Sequence, residues 1–503
     1  MKHLAIIDIG SNSISLQISE IRNKSYDIVE DYKETIRIGG DVFKSGSFSE
    51  TTVKSIIEVL ERMKVLIDKR GWSFIRATAT APFRDASNAK EVIELIREKV
   101  NINVEVIDGT EEARLVHLFV SANFQINNLS ALILDIGGGT TEFILSVNGE
   151  IVFSKSVPLG ITRLTSDFFK NNPPKNDEIV ILKEYINKTL DEMPINKSID
   201  TIICTGGTIN NISYIYNKRV HLSDTPIKYV ERKFLKLIYN EIKNKTFEDR
   251  IQIEGIDQQR VDIIQTAALM MGLILNRSNH KGFFTIKGGL KNGLTIDTLN
   301  KKGIKMHFQE NVDVRMARIL EIGSKFSFEE EHAKQVTKLS KILFSKFKDF
   351  FKLDDENWKL LEAASMLHDT GNYISYDKHH KHSYYLIMNS DLIGYNANET
   401  EIIANIARYH RKSPPKKSHE DYKNLSGKTR NLIKKLSAIL RIADALDLSH
   451  KSLVADINVK INDDIIEILP IPEKNKKIDL EIQSSEAKKD LLESITKRQV
   501  IVK

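Results

Sequence analysis

Two short stretches carry the clearest chemical signal. Leu4-Ala-Ile-Ile-Asp8-Ile-Gly10-Ser-Asn-Ser13 is answered by Leu132-Ile-Leu-Asp135-Ile-Gly137-Gly-Gly139-Thr-Thr141. Each is an apolar run that ends in Asp-Ile-Gly and passes into small and hydroxyl residues. Glycine lets the backbone come close to a ligand, and successive amide N–H groups then form a concave nest that suits phosphate oxygens. A carboxylate at the strand end can face the same anion only if a cation sits between them. Asp8 and Asp135 therefore read as ligands of Mg2+, directly or through water. A single copy would be no more than a strand-and-turn signal, whereas two matched copies point to function. A third turn, Cys204-Thr-Gly-Gly-Thr208, follows the apolar pair Ile202-Ile203 and could supply further N–H donors. Arg84 sits at a turn followed by a helix, where a guanidinium can either clamp a phosphoryl group bidentately or serve as a surface ion-pair partner. Glu111 and Glu112 open a helix, where acids favour the dipole whether or not they catalyse.

After each Asp-Ile-Gly the chain resumes an apolar strand, Ile14 to Ile18 and Phe143 to Val147, which predicts β-hairpins with tight turns. Two related lobes follow, each opening with an anion-binding hairpin. Between the hairpins lie helical stretches with apolar residues three and four apart, such as Ile56, Ile57, Leu60, Met63 and Leu66, so the first 300 or so residues read as α/β. Beyond about residue 310 strand signals vanish, and segments such as Val336, Leu339, Leu343 and Phe347 predict an all-α domain to about residue 455. Eight of the 13 histidines fall there, between His332 and His450. Alternating runs at Ile457 to Ile461 and Ile465 to Leu469, then a helix from about Ser485, predict a small α/β tail.

The 503 residues are too many for one compact core, and typical domain sizes suggest three or four units. Hydrophobic residues make up 41% and charged residues 28%, a globular composition. Cys204 is the only cysteine, which excludes an internal disulfide framework and a thiolate zinc cluster and is compatible with a reducing compartment. No apolar run approaches the roughly 18 residues that span a bilayer, and Asp8 interrupts the N-terminal apolar run at once. A cytoplasmic protein without membrane contact is expected. With 74 Lys+Arg against 68 Asp+Glu, the net charge of +6 is mild and does not imply nucleic acid as a partner.

The ordered set Asp8-Ile-Gly-Ser-Asn-Ser13, Ala-Thr-Ala near Arg84, Gly109 to Ala113, Asp135-Ile-Gly-Gly-Gly-Thr-Thr-Glu142 and Thr205-Gly-Gly-Thr208 resembles the exopolyphosphatase/guanosine pentaphosphate phosphatase (Ppx/GppA) family. Val157-Pro-Leu-Gly160 and Gly289-Leu-Lys-Asn-Gly293 match as well. Two positions depart from the family pattern: Thr140 where Ser is usual, and Lys291 where Arg is usual. The lysine keeps the charge but gives up the planar fork. The resemblance implies two actin-like (ribonuclease-H-type) lobes, residues 1–125 and 126–305, with the active site in the cleft. A helical domain (306–455) and a small α/β C-terminal domain (456–503) complete the expected organisation. The resemblance also implies roles. Glu112 matches the catalytic glutamate that orients or deprotonates the attacking water, and Arg84 acts with it. Mg2+ sits near Asp135, with Asp8 and Glu142. Ser11, Asn12, Ser13, Gly137, Gly138, Gly139, Thr140, Thr141, Gly207 and Thr208 bind phosphates.

In the second half, His332, His368-Asp369 and Asp444 occur in the order His, His-Asp, Asp, which resembles the HD superfamily. Its imidazole and carboxylate ligands hold one or two divalent metals on helices. His379, His380, His382 or His410 could complete a second position. A divalent metal other than Mg2+ is thus an expectation for this domain; the alternative is a hydrogen-bonded polar network.

The expected activity is that of an exopolyphosphatase, a hydrolase of phosphoanhydride bonds that removes orthophosphate from the end of inorganic polyphosphate. The close variant is a phosphatase acting on guanosine pentaphosphate. A non-catalytic polyphosphate or nucleotide sensor is the reading from another class, and intact Glu112 argues against it. A sugar or acetate kinase on the same lobes is disfavoured because no sugar-binding motif is recognisable. The family resemblance also implies a homodimer.

Overall fold

The structure, a computed structural model, describes residues 2–22, 25–195, 198–220, 227–304, 313–416, 418–474 and 476–503. It divides into two compact units, Met1–Val314 and Arg315–Lys503. The boundary expected at 305/306 lies outside the described residues.

The first unit holds two sheets. In the first, β1 (Lys2–Ile9), β2 (Ser13–Arg22), β3 (Ser25–Thr35), β4 (Phe74–Ala79) and β5 (Val104–Val106) lie in the order β3-β2-β1-β4-β5. The first three strands are antiparallel, and β4 runs parallel to β1. The second sheet contains β6 (Ser130–Ile136), β7 (Thr141–Val147), β8 (Glu150–Val157), β9 (Thr201–Thr205), β10 (Ile227–Glu231) and β11 (Gly282–Ile286), ordered β10-β11-β9-β6-β7-β8. It repeats the plan of an antiparallel meander followed by parallel strands. The echo in the sequence is therefore an echo in topology, two actin-like lobes.

Strand β1 is buried on both faces, as expected of a central strand covered by helices on either side. On one face Ala5, Ile7 and Ile9 share a core with Ile56, Ile57, Leu60, Met63 and Ile67 of the helix Glu50–Arg70. On the other, Leu4 and Ile6 meet Leu115, Leu294 and Leu299. The helix Leu290–Lys301, placed in lobe II by its sequence position, packs back onto the outer face of lobe I. A side chain at Gly293 would put its Cβ 2.1 Å from the Leu115 carbonyl oxygen, so glycine permits this close crossing.

The crossing helix is pinned by charge. Asp297, with a side chain only 7% exposed, binds Arg76 at 2.7 Å, Arg114 at 2.7 Å and Lys301 at 2.9 Å. Hydrogen bonds from these cations outweigh burial and hold its carboxyl down at about 2. Asp297→Ala leaves the half-buried Arg76 without this partner and is expected to cost about 3 kcal/mol. Because the folded-state value lies below the ordinary one, this stabilisation is present above pH ~4 and lost as pH falls towards 2. Denaturant melts at pH 7 and pH 3 check it: the variant's deficit should shrink at the lower pH.

The second unit is built on the helices Glu330–Phe351, Asp355–Leu367, His379–Asn389, Ala397–Arg408 and Gly427–Ala445. A three-stranded sheet follows, β12 (Val454–Ile461), β13 (Ile465–Pro472) and β14 (Gln499–Val502). Val454, Ile466, Ile468 and Val500 share one core with Leu339, Leu361 and Leu440, so residues 456–503 close the helical unit rather than standing apart from it. The last helices differ from expectation. They run Asp479–Lys488 and Asp490–Thr496, and the chain ends in a strand parallel to β13. Asp479-Leu-Glu-Ile alternates like a strand, which hides the helix start, and four residues are too few to signal β14. No helix among the described residues is long and apolar enough to cross a membrane.

Candidate active site

The two Asp-Ile-Gly turns close identically. The Gly10 N–H donates to the Ser13 carbonyl at 3.0 Å, and the Gly137 N–H donates to the Thr140 carbonyl at 3.0 Å. The loops face each other: a Cβ on Gly139 would lie 2.5 Å from Ser11 Oγ, and one on Gly138 would lie 3.3 Å from Asn12 Cβ. Asp8 and Asp135 stand just before the ends of β1 and β6. Glu142 lies directly opposite Asp135 across the β6–β7 ladder, which points both side chains to one face of the sheet. Glu142 accepts from Ser156 Oγ at 2.8 Å. Asp135 accepts from the Thr205 hydroxyl.

Glu112 enters from the helix Gly109–Asn123, capped by Asp108, whose carboxylate accepts from the Glu111 N–H at 2.8 Å. A Cβ on Gly109 would meet Ser156 Cβ at 2.4 Å, so glycine lets this helix start touch β8 and carry Glu112 to Glu142. Arg84, expected at a turn, lies in the one-turn helix Ala81–Asp85 and donates both to Glu112 and, at 2.8 Å, to the Ile107 carbonyl.

The carboxylates repel one another in a dry place. Burial, reinforced by Asp135, lifts Asp8 to about 6 against the pull of Lys291. Burial and Asp135 lift Glu142 to about 7. Burial also raises Asp135. Glu112 stands well above the ordinary carboxylate range through burial and the Glu142 charge, with Arg84 opposing. In the metal-free protein these groups hold protons that the unfolded chain has released, so stability falls as pH rises from about 4 to 7; for Asp8 alone the loss is on the order of 3 kcal/mol. A divalent cation offsets this. Adding a divalent cation is therefore expected to raise the Tm at pH 8 and to have little effect at pH 5, which thermal melts at the two pH values check.

Most of the sequence-predicted phosphate-binding residues gather at this cleft. Gly207 and Thr208 begin the helix Gly207–Val220 beside Arg260, whose Nη1 lies 3.4 Å from Thr208 Oγ1. Among them, Thr141 has a buried hydroxyl that donates to the Leu159 carbonyl at 2.8 Å, which ties the loop down. Thr205 was read only as part of the third turn, and Lys33 and Arg260 escaped the sequence reading. Lys33 lies opposite Ser15, which lies opposite Asp8, so the three form a row across β3, β2 and β1. Burial and the nearby charges of Arg260 and Lys291 lower the Lys33 ammonium. The hairpin register was the signal that could have found it; Arg260 carries none.

The second set also converges. His332, His368, Asp369, His410 and Asp444 come together, joined by His379. His380 and His382 are not among the grouped ligand atoms of the described residues.

The Ppx/GppA phosphatase family matches residues 17–302, and domain III of the Ppx/GppA phosphatases matches residues 314–492. A guanosine-5'-triphosphate,3'-diphosphate pyrophosphatase of Pseudoalteromonas atlantica is 24% identical over 458 residues, spanning 89% of this chain and 86% of the relative. Exopolyphosphatase 1 of Mycobacterium bovis is 23% identical over 305 residues, 59% of this chain and 89% of its own. The crystal structure of the Aquifex aeolicus Ppx/GppA family member superposes with a TM-score of 0.52 and 27% identity, covering 60% of this chain and 98% of that one. Motifs, topology and matched length agree: the chain belongs to the Ppx/GppA phosphatase family.

Proposed function

We propose that the cleft hydrolyses the terminal phosphoanhydride bond of inorganic polyphosphate with Mg2+, releasing orthophosphate. The observation that carries this reading is the placement of Glu112, a buried carboxylate of raised basicity held by Arg84 beside the Asp135–Glu142 pair. A sensor has no use for such a base.

The residues suit the metal. Asp8 Oδ1 is buried without a hydrogen-bond partner, and three acidic side chains crowd a dry site that only a cation makes favourable. All are hard oxygen donors, the kind Mg2+ prefers. Asp8, Asp135 and Glu142 would hold it. When bound it would neutralise phosphate oxygens and the leaving group. The chain's own groups do the rest. The facing loops at Ser11–Ser13 and Gly137–Thr140 offer N–H groups and hydroxyls to the terminal phosphate. Glu112 orients a water for in-line attack and takes its proton. Lys33, Arg260 and Lys291 supply positive charge for the phosphates that follow.

Guanosine pentaphosphate is the second reading, favoured by one observation: the relative of that name aligns across both units, whereas the exopolyphosphatase relative aligns over 59% of the chain. Orthophosphate release from long-chain polyphosphate and from guanosine pentaphosphate, measured in parallel with Mg2+, decides between them. Faster release from polyphosphate is the expected result. Preference for the nucleotide moves the chain to the second reading, and release from neither sinks the enzyme.

A further inference from the structure

Each phosphate-facing loop carries an arginine that belongs to one lobe and ends on the other. In lobe II the Arg163 N–H donates to the Gly138 carbonyl at 3.0 Å, and its guanidinium crosses to lobe I, where Nη2 donates to Asp85 at 2.8 Å. In lobe I the Arg37 N–H donates to the Asn12 carbonyl at 3.0 Å, and its guanidinium crosses to lobe II, 2.9 Å from the Asp262 carboxylate. The two arrangements mirror each other beyond the loops. Asp85 adjoins Arg84, which holds Glu112, and Asp262 stands two residues after Arg260, the cation beside Thr208. A movement of either ion pair is thus passed over a few bonds to a nest on one side and to a working arginine on the other.

Neither arginine is an incidental surface charge. The Arg163 guanidinium lies over the Phe43 ring, 3.9 Å from its centre, a cation–π contact that fixes its plane. Phe43 comes from the lobe I helix Gly39–Ser45, and its ring sits against Gly139 of lobe II, where a Cβ would lie 2.6 Å from Phe43 Cζ. Arg37 stands in the left-handed region at φ +50°, which favours glycine. A residue held there against its preference points to use of its side chain. Thr35 reaches across the same gap, its hydroxyl donating to Gln259 at 3.0 Å. Both ion pairs are also unfinished. Arg163 Nε and Asp262 Oδ1 are buried without a hydrogen-bond partner, and such atoms regain water when the lobes part. The charges favour closure and the stranded atoms favour opening, which is the balance of a latch that must release.

We infer that Arg37 and Arg163 are positioning residues for the reaction in the cleft: a reciprocal pair of latches that close lobe on lobe, bring both nests to one phosphate and set Glu112 in line with it. The inference rests on the proposed hydrolysis for what closure serves, though not for closure itself. A partly exposed ion pair is a weak tie, so two of them bias an equilibrium between open and closed lobes rather than locking it. Because the substrate is an anion, the two readings of Asp85 have opposite signs. If charge alone mattered, deleting this carboxylate would favour polyphosphate. As the landing point of a latch, its deletion opens the cleft and slows the reaction.

Two measurements on the full chain test this. Spin labels on Glu61→Cys and Lys188→Cys, at exposed positions of the helices Glu50–Arg70 and Asn176–Leu190, report the distance between the lobes without any substrate, and the buried Cys204 stays unlabelled. A single short-distance population is expected with both latches intact, and a second, longer one in Arg163→Ala, Asp85→Ala and Arg37→Gly. In orthophosphate release from polyphosphate with Mg2+, each of these three should lower kcat/KM about fivefold. Arg163→Ala combined with Asp85→Ala should lose no more than either alone, as partners in one pair do, whereas Arg163→Ala combined with Arg37→Gly should lose about 25-fold, as separate pairs do. Arg37→Gly should keep or raise the Tm because glycine adopts this backbone without strain, a result that an arginine serving stability alone would not give. Unchanged distances overturn the latches, and so do additive losses within the Arg163–Asp85 pair. If Asp85→Ala leaves or raises kcat/KM while Arg163→Ala lowers it, Arg163 binds phosphate directly and the latch is overturned. Absence of phosphate release from the wild type would count against the hydrolase and leave the distances to decide the latches.

Discussion

Replacing Glu112 by Gln is expected to lower kcat for orthophosphate release from polyphosphate by roughly 10²–10⁴-fold, the range a general base contributes, with KM changed by less than about threefold. The amide keeps the volume of the carboxylate at a site that is only 6% exposed, and the Asp108 cap that starts the helix is independent of it, so the fold should be retained. What is lost is the ability to take a proton. Arg84 gives a companion readout. It opposes the burial and the Glu142 charge that raise Glu112, so Arg84→Ala lifts Glu112 further. The acid limb of the kcat profile then moves to higher pH, because more of the base is protonated at any given pH. An arginine that only clamped phosphate would raise KM and leave that limb in place. Full activity in Glu112→Gln would return the residue to its plain role as an acid at a helix start and assign the base to another group.

The hairpins were legible because their logic is local. A turn closed between Gly10 and Ser13, or between Gly137 and Thr140, involves four residues in sequence, and the buried strands before them are continuous apolar runs. The helix Glu50–Arg70 was equally readable from its apolar spacing. Lys33 was not, because it reaches Asp8 only through the register of two successive strand pairs, and register is set by tertiary packing. Arg260 reaches Thr208 from a one-turn helix without any periodic signal. The return of the helix Leu290–Lys301 to lobe I is likewise a matter of chain path. Residues 293–299 are buried in an unbroken run, so no apolar stripe says which lobe covers the helix, and Gly293 against Leu115 and Asp297 among its cations reveal the partner. In the second unit the order of His332, His368-Asp369 and Asp444 was readable, whereas His379 could not be told from His380 and His382 until the start of the helix His379–Asn389 fixed which ring faces Asp369.

Gly160→Ala tests whether the nest must be rigid. Gly160 has φ −72°, which any residue adopts, so its need for glycine is one of space. A Cβ there would fall 2.1 Å from the Gly139 carbonyl carbon and 2.4 Å from the Gly138 carbonyl oxygen. The loop cannot yield without losses elsewhere. The N–H groups of Ile161 and Arg163 each hold it at 3.0 Å through the Gly137 and Gly138 carbonyls, and on its far side Gly139 already lies against Ser11. Alanine must therefore push the phosphate-facing backbone by about an ångström, a displacement that typically costs about 10² in rate. Overpacking of this kind costs about 1–3 kcal/mol, which for a chain of this size lowers the Tm by several degrees. Gly40→Ala is the matched control in lobe I, because nothing lies within 4 Å of its Cβ position, and it should leave kcat/KM and Tm close to wild type. If Gly160→Ala lost stability alone and kept kcat/KM, the loop's role would be confined to holding the fold. A loss of kcat/KM far beyond the small change in Tm would place the Gly138–Gly139 backbone against the reacting phosphate.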